Sequence, residues 1–412
     1  NFKFMKILHT SDWHLGHKLY NFDRKDEQLH FLRQIAKIVK DERPDVMIVS
    51  GDVFHVATPN IETQTMFVDE LLNIHNQCDS MSIVVTAGNH DSYSRLEIDK
   101  NLWKRHNIYI IGNVSSSVEQ HLINIKGKGI IAAVPFCSGR NFPQLNEDDS
   151  LDRQSLFFSE LQKKADEINI DNLPIILSAH LAIKGCDIRG HNQEKNQLGE
   201  EIIGGIEYSD RKILGLSYDY IALGHIHHPQ DIGDEHVRYC GTPMPITFNE
   251  EYEHSVTIVE IKRHGAPIIK RTIELDLLRQ VRTLPNENRQ QPTGATVEEA
   301  LLLLEEIKDE DVYVRLNVKI PYGGNPAEAN ETISRWLENN PHKCHFCLIN
   351  PIRDVPLSRS IEDKTLTMNE LKEMSSEQIV EIANAAKELS DKQKEMLAQI
   401  IEQINQEQEI IS

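Results

Sequence analysis

Five times along this chain, a short run rich in Ile, Val and Leu ends in residues that can bind a cation, and this recurrence constrains the fold most. The runs Lys6–His9, Val46–Ser50, Ile83–Ala87, Ile175–Ser178 and Tyr220–Leu223 are each too short for a helix and too apolar for an exposed loop. Together with Ile130–Val134 they have the length and β-branched content of strands in a buried sheet. Helical periodicity intervenes, with apolar positions Leu29, Leu32, Ile35, Ala36 and Val39 inside Asp26–Lys40, and a second helix predicted over Glu62–Ile74. Val237–Cys240, Ser255–Ile261 and Ile268–Leu275 then read as consecutive strands. The expectation is an α/β layered fold in which two sheets form a sandwich flanked by helices.

The residues that follow the runs are specific. They are Asp12-Trp13-His14, Gly51-Asp52 with His55, Gly88-Asn89-His90-Asp91, His180, and Gly224-His225-Ile226-His227. Open α/β sheets place their ligands beyond the carboxyl ends of strands, which is where all five clusters fall. Asp12 and His14 stand two apart on an extended segment, as do His225 and His227, so each pair can face one side. Asp52 has two carboxylate oxygens and can bridge two cations. Asn89 offers an amide oxygen and His180 a further nitrogen. Taken singly, each piece is commonplace: a Gly-Asp is often a turn, and an isolated buried His is often a satisfied core residue. Five in order, each after an apolar run, predict a dinuclear site ligated by Asp12, His14, Asp52, Asn89, His180, His225 and His227. Mixed oxygen and imidazole ligation suits Mn²⁺, Fe²⁺ or Zn²⁺ better than Mg²⁺ or Ca²⁺. Gly51, Gly88 and Gly224 are expected to let the backbone turn beside the ligands.

Downstream, Pro285–Thr296 reads as a linker or surface loop. Helix Val297–Ile307, strand Val312–Ile320, helix Pro326–Glu338 and strand Cys344–Asn350 make a small βαβ-like unit, which Pro351–Pro356 closes. Helices Met368–Ala386 and Asp391–Gln406 follow, with apolar positions such as Ile379, Ile382, Ala383, Met396, Leu397 and Ile400 at helical spacing. Cys344-His-Phe-Cys347 has half the spacing of a zinc site but no matching second half, so it reads as part of a strand. The six cysteines are scattered, as expected of thiols in a reducing cytoplasm. No run of about eighteen apolar residues predicts a membrane span. Met5 opens directly into a strand without the pattern of a signal peptide, so residues 1–4 read as an extension.

The 412 residues carry a net charge of −20, which weighs against a nucleic-acid partner. Two facts reduce that weight. Carboxylates that hold cations help to attract phosphate rather than repel it. From Lys364 onward, moreover, ten acids stand against five lysines, well away from the candidate site.

The order Asp-x-His, Gly-Asp, Gly-Asn-His-Asp, His, Gly-His-x-His resembles the calcineurin-like metallophosphoesterase superfamily. Thr10–Gly16, Ser50–His55 and Tyr239–Glu250 further resemble its prokaryotic branch of double-strand-break repair nucleases. That resemblance implies one cation on Asp12, His14, Asp52 and His227 and a second on Asp52, Asn89, His180 and His225, with Mn²⁺ the expected metal. It also implies that His90 approaches the scissile phosphate without being a ligand. Asp91 would then orient or tune the His90 ring, and His55 would help to position DNA or the leaving group.

The implied organisation is a nuclease domain over residues 1–280, a DNA-orienting capping domain over 281–360, and a helical region over 361–412 that docks an SMC-like ATPase. The expected assembly is a homodimer within a heterotetramer, with Glu62–Ile74 a candidate for the dimer contact. The expected activity is Mn-dependent cleavage of duplex ends and hairpins in DNA repair and recombination. A small-molecule phosphodiesterase or phosphomonoesterase on the same scaffold is the alternative. A phosphoprotein phosphatase fits less well, because its GDxxDRG and GNHE patterns stand here as Gly-Asp-Val-Phe-His and Gly-Asn-His-Asp. The chain has no GxxxxGK[ST] loop, so any ATP dependence must come from a partner.

Overall fold

In the computed structural model of the protein, the apolar runs form two six-stranded sheets; residues 4–145, 152–188, 207–215, 217–286, 293–321 and 324–353 are described. The first half contributes β1 (Met5–Thr10), α1 (Lys25–Glu42), β2 (Val46–Ser50), α2 (Ile61–Asn76), β3 (Ser82–Thr86) and β4 (Ile108–Ile111). Next come β5 (Leu122–Ile125), β6 (Gly129–Val134), α3 (Arg153–Ile168), β7 (Ile175–His180) and β8 (Tyr220–Gly224). They are followed by β9 (Gln230–Ile232), β10 (Asp234–Tyr239), β11 (Ser255–Ile261) and β12 (Ile268–Glu274). A smaller group comprises β13 (Val281–Leu284), α4 (Val297–Ile307), β14 (Tyr313–Ile320), α5 (Pro326–Asn339) and β15 (His345–Arg353).

One sheet runs β12-β11-β1-β2-β3-β4 and the other β9-β10-β8-β7-β6-β5. Their central strands are parallel, with register pairs such as Leu8↔Met47, Ile48↔Val84 and Ile221↔Leu177. Antiparallel strands lie at the margins, where β11 pairs with β1 and β12 while β5 pairs with β6. The central strands are buried on both faces, which is why they read as continuous apolar runs.

Between the sheets Ile7, Ile48 and Val84 meet Ile131, Ile176 and Ala222. The outer face of the first sheet is covered by Phe31, Leu32 and Ile35 of α1 and by Met66, Phe67 and Leu71 of α2. Phe157, Phe158 and Leu161 of α3 cover the second. These layers put the carboxyl ends of β1, β2, β3, β7 and β8 at one edge of the sandwich.

The inter-sheet space is not wholly apolar. His9 Nδ1 lies 2.9 Å from the Tyr220 hydroxyl, and Ser50 Oγ lies 3.1 Å from Ser178 Oγ and donates to Ala222 O at 3.0 Å. These buried groups satisfy one another.

In the smaller group β13-β14-β15 form a sheet backed by α4 and α5, with Leu304, Val314, Leu316 and Ile333 at its core. Thr296, expected in a linker, is the N-cap of α4 and forms a reciprocal capping box with Glu299. Cys344 packs into that core, while Cys347 packs with Leu19, Phe248 and Tyr313. Both are thiols within apolar clusters. The two tail helices expected at 368–386 and 391–406 lie outside the described residues.

Candidate metal centre

The loops beyond β1 and β2 continue to bond to each other after the sheet ends. Asp12 N donates to Gly51 O at 3.1 Å, His14 N to Asp52 O at 3.0 Å and Leu15 N to Val53 O at 2.9 Å. This ladder fixes Asp12 and His14 against Asp52. The local backbone is unusual: Asp12 (φ 52°), His14 (φ 45°), Asp52 (φ 46°) and His225 (φ 94°) all lie in the left-handed region. Non-glycine residues reach that region at a cost, and such outliers cluster at functional sites.

The side chains converge. Asp12, His14 and His227 form one group of donor atoms within 4.8 Å of one another, and Asp52, His180 and His225 form a second. Between them, Asp52 Oδ2 is 3.7 Å from His14 Nε2 and 3.4 Å from His180 Nε2. Asn89 Oδ1 is 3.1 Å from His180 Nε2 and 2.9 Å from His225 Nδ1. All seven sequence-derived ligands therefore meet in one place. Six are buried, while Asn89 is exposed and His90 and His55 are half-buried, so the site opens on that side.

The surroundings fix which nitrogens point inward. The Nδ1–H of His180 donates to the Ser50 carbonyl at 2.8 Å, and His227 Nδ1 lies 3.0 Å from a carboxylate oxygen of Glu250. A neutral imidazole whose Nδ1 carries the proton presents a lone pair at Nε2. The Nε2 of His180 then faces Asp52, and that of His227 faces His14 Nε2 at 3.2 Å. Where two acceptors face each other, as the Asp52 carboxylate and a neutral His180 Nε2 do, the buried space calls for positive charge between them.

The protonation tendencies show the same demand for positive charge, which a proton on His180 meets where no cation is held. Burial works against a charged His180, but the Asp52 and Asp12 carboxylates outweigh it and lift its pKa to about 9. Burial likewise disfavours the Asp52 anion, yet His180, His14 and His90 hold it well below the ordinary carboxylate range. The donor set fits a pair of divalent cations.

Three glycines make this approach possible. A Cβ on Gly51 would lie 2.0 Å from His180 Nδ1, one on Gly88 2.0 Å from Asp52 Oδ1, and one on Gly224 1.7 Å from Ser50 O. Gly51 also adopts φ 86°, whereas Gly88 and Gly224 are required for space rather than for the turn expected from sequence.

His90 stands beside the ligands, its ring centroid 4.9 Å from that of His14, and its backbone N–H donates to Asp52 Oδ1 at 2.9 Å. Its Nδ1–H donates to the His55 carbonyl at 2.8 Å, and the two rings stack at 5.6 Å. Among the described residues Asp91 makes no hydrogen bond to the His90 ring. Its carboxylate accepts from the backbone of Gly88 (2.8 Å), Val53 (3.0 Å) and Phe54 (2.9 Å), tying the loop after β3 to the loop after β2. The His55 carbonyl, not Asp91, orients the His90 ring. Sequence reasoning also passed over Glu250 as a partner of His227, and over His17, whose buried ring lies 4.7 Å from that of His55. The spacing of His17 and His14 on one loop was the available signal for the latter.

With this geometry in place, the class of protein is defined. The calcineurin-like phosphoesterase family model matches residues 5–229, and the chain belongs to that family. Within the curated proteins it is similar to the SbcD component of the SbcCD nuclease of Rhodobacter capsulatus, 29% identical over 64% of this chain and 68% of that protein. It is also similar to the SbcD nuclease component of Escherichia coli K12, 31% identical over 61% of this chain and 65% of the relative. With its counterpart in Staphylococcus saprophyticus it is 25% identical over 76% of this chain and 78% of the relative. The match thus spans about two thirds of the first relatives' length. These relatives bear out the resemblance to the repair-nuclease branch, and the layered α/β sandwich is the fold expected.

Proposed function

We propose that this chain is a metal-dependent phosphodiesterase that cleaves DNA, acting as the nuclease component of an SbcCD-type complex in the cytoplasm. The observation that carries the reading is the meeting of six candidate ligand side chains around Asp52, with His180 and His227 turned by their Nδ1 partners to present Nε2 inward. Asp12, His14, Asp52 and His227 would hold one cation, and Asp52, Asn89, His180 and His225 the other; the mixed donors suit Mn²⁺, Fe²⁺ or Zn²⁺, and the family resemblance favours Mn²⁺ among them. Bound there, two divalent cations would polarise phosphoryl oxygens and make water more acidic.

The chain's own groups do the rest. The Asp52 backbone and carboxylate lock the two loops together and seat His90 through its N–H. With Nδ1–H committed to the His55 carbonyl, the Nε2 of His90 is the nitrogen available to hold a proton and deliver it to the departing sugar oxygen. His55 packs against that ring and borders the open side of the site. The other six candidate ligands are buried, and Asn89, His90 and His55 border the accessible side among the described residues.

On this reading residues 281–360 cap the nuclease domain of residues 1–280 and orient duplex DNA. Residues 361–412 dock the coiled-coil base of an SbcC-type ATPase, and two nuclease chains dimerise within a heterotetramer. The names of the relatives and the motif Tyr239–Glu250 support this assignment over a small-molecule esterase. The test is Mn²⁺-dependent cleavage of blunt duplex and hairpin DNA by the chain, with and without an SbcC-type ATPase. Processing of both substrates is expected. Activity confined to nucleotides or small phosphate esters overturns the DNA assignment.

A further inference from the structure

We propose that Glu250 is a positioning residue for His227, and that the small sheet holds it in place through Arg24. The proposal rests on the reading of His227 as a cation ligand. Glu250 is 1% exposed; one carboxylate oxygen meets His227 Nδ1 at 3.0 Å, and the other accepts from Ile246 N at 3.2 Å. That N–H belongs to the same peptide unit as the Pro245 carbonyl, to which the Arg24 guanidinium donates. A peptide unit is rigid and planar, so Arg24 and Glu250 grip opposite sides of one plate.

Arg24 is itself 1% exposed and anchored twice. Its Nε donates to Glu27 at 2.9 Å, and its guanidinium carbon sits 5.3 Å from the centroid of the Tyr313 ring. The Tyr313 hydroxyl closes the set by donating to the other Glu27 oxygen at 3.2 Å. Tyr313 opens β14, the middle strand of the small sheet. A displacement of that strand therefore reaches the carboxylate that sets the tautomer and tilt of His227. Partners of ligating histidines that fix ring orientation and basicity change metal affinity about 10–100-fold when removed.

The test is a calorimetric Mn²⁺ titration of the full chain. Glu250→Ala is expected to weaken one of two ions about 10–100-fold and leave the other unchanged. Glu250→Gln keeps an oxygen acceptor without the charge and is expected to lose less than Glu250→Ala. Tyr313→Phe should weaken the same ion about two- to fivefold, the scale on which remote residues tune a site. The double variant should be no weaker than Glu250→Ala alone, because both changes act through one contact.

Wild-type affinity in Glu250→Ala overturns the proposal; if that variant does not fold, wild-type affinity in Glu250→Gln does so. Effects of Tyr313→Phe and Glu250→Ala that multiply overturn the link to the small sheet. His227→Ala separates the two levels of inference. If His227→Ala binds both ions like the wild type, the cation reading itself fails. If it loses one ion while Glu250→Ala loses none, only this proposal fails.

Discussion

At the scale of single residues, the candidate ligands were legible because cation chemistry restricts the residue types and strand ends restrict their places. Asp12, His14, Asp52, His180, His225 and His227 could be named from pattern alone, since few side chains offer an anionic oxygen or an imidazole lone pair. Their supports could not. The Ser50 carbonyl that orients His180 is backbone and leaves no trace in residue type, and Glu250 lies 23 positions from His227 with β9 and β10 between them. Asp91 adjoins His90 in sequence, whereas the loop directs its carboxylate at three amides. Two predictions belong here. His90→Ala should retain both cations while turnover falls by about 10²–10⁴, the usual contribution of a positioned acid; steady-state kinetics with metal analysis will show this, and loss of a cation would make His90 a ligand instead. Gly224→Ala sets a methyl group 1.7 Å from the Ser50 carbonyl oxygen and should destabilise the fold by about 1–3 kcal/mol in a urea titration.

At the scale of elements, the central strands and the first two helices were found within a few residues of their predicted bounds. Strands buried on both faces and helices with one continuous apolar stripe carry the strongest periodic signals. What escaped was marginal. The edge strands β4 and β5 are four residues each with alternating exposure. Helix α3 buries Phe157, Phe158, Leu161 and Ala165 but exposes much else. Short or weakly patterned segments acquire their state from the neighbours they pack on.

Capping, in contrast, is local and can be tested locally. Thr296 accepts from Glu299 N while the Glu299 carboxylate accepts from Thr296 N. Thr296→Ala should lower stability by about 1 kcal/mol without altering cation affinity. A urea titration showing no loss would mean that packing of Leu304 and Ile307 alone sets the start of α4.

At the scale of the whole molecule, the space between the sheets is a polar seam bordering the site as well as a core. His9 lies in that seam, and burial, aided by the nearby Arg238 guanidinium, depresses its pKa to about 3 from the ordinary 6.5. As pH falls from 6.5 toward 3 the unfolded chain takes up a proton at His9 that the folded chain refuses, so stability declines through that window. The slope from one such group is at most about 1.4 kcal/mol per pH unit. His9→Gln should flatten the dependence by that amount in chemical denaturation at stepped pH, whereas an unchanged slope would mean that His9 is protonated in the fold.

The site, too, is a property of the whole molecule. Five strand ends from two sheets supply it, so the sheets must stack in the observed register before any ligand finds its neighbour. Asp52 stands where the two ligand groups meet, and a pair of cations held on either side of it is the central claim. Low-temperature electron paramagnetic resonance of the Mn²⁺-loaded chain tests this most directly. Two ions per chain with the spectrum of an exchange-coupled pair are predicted, the coupling being lost in Asp52→Asn. A single ion, or two ions with independent spectra in the wild type, would contradict the account.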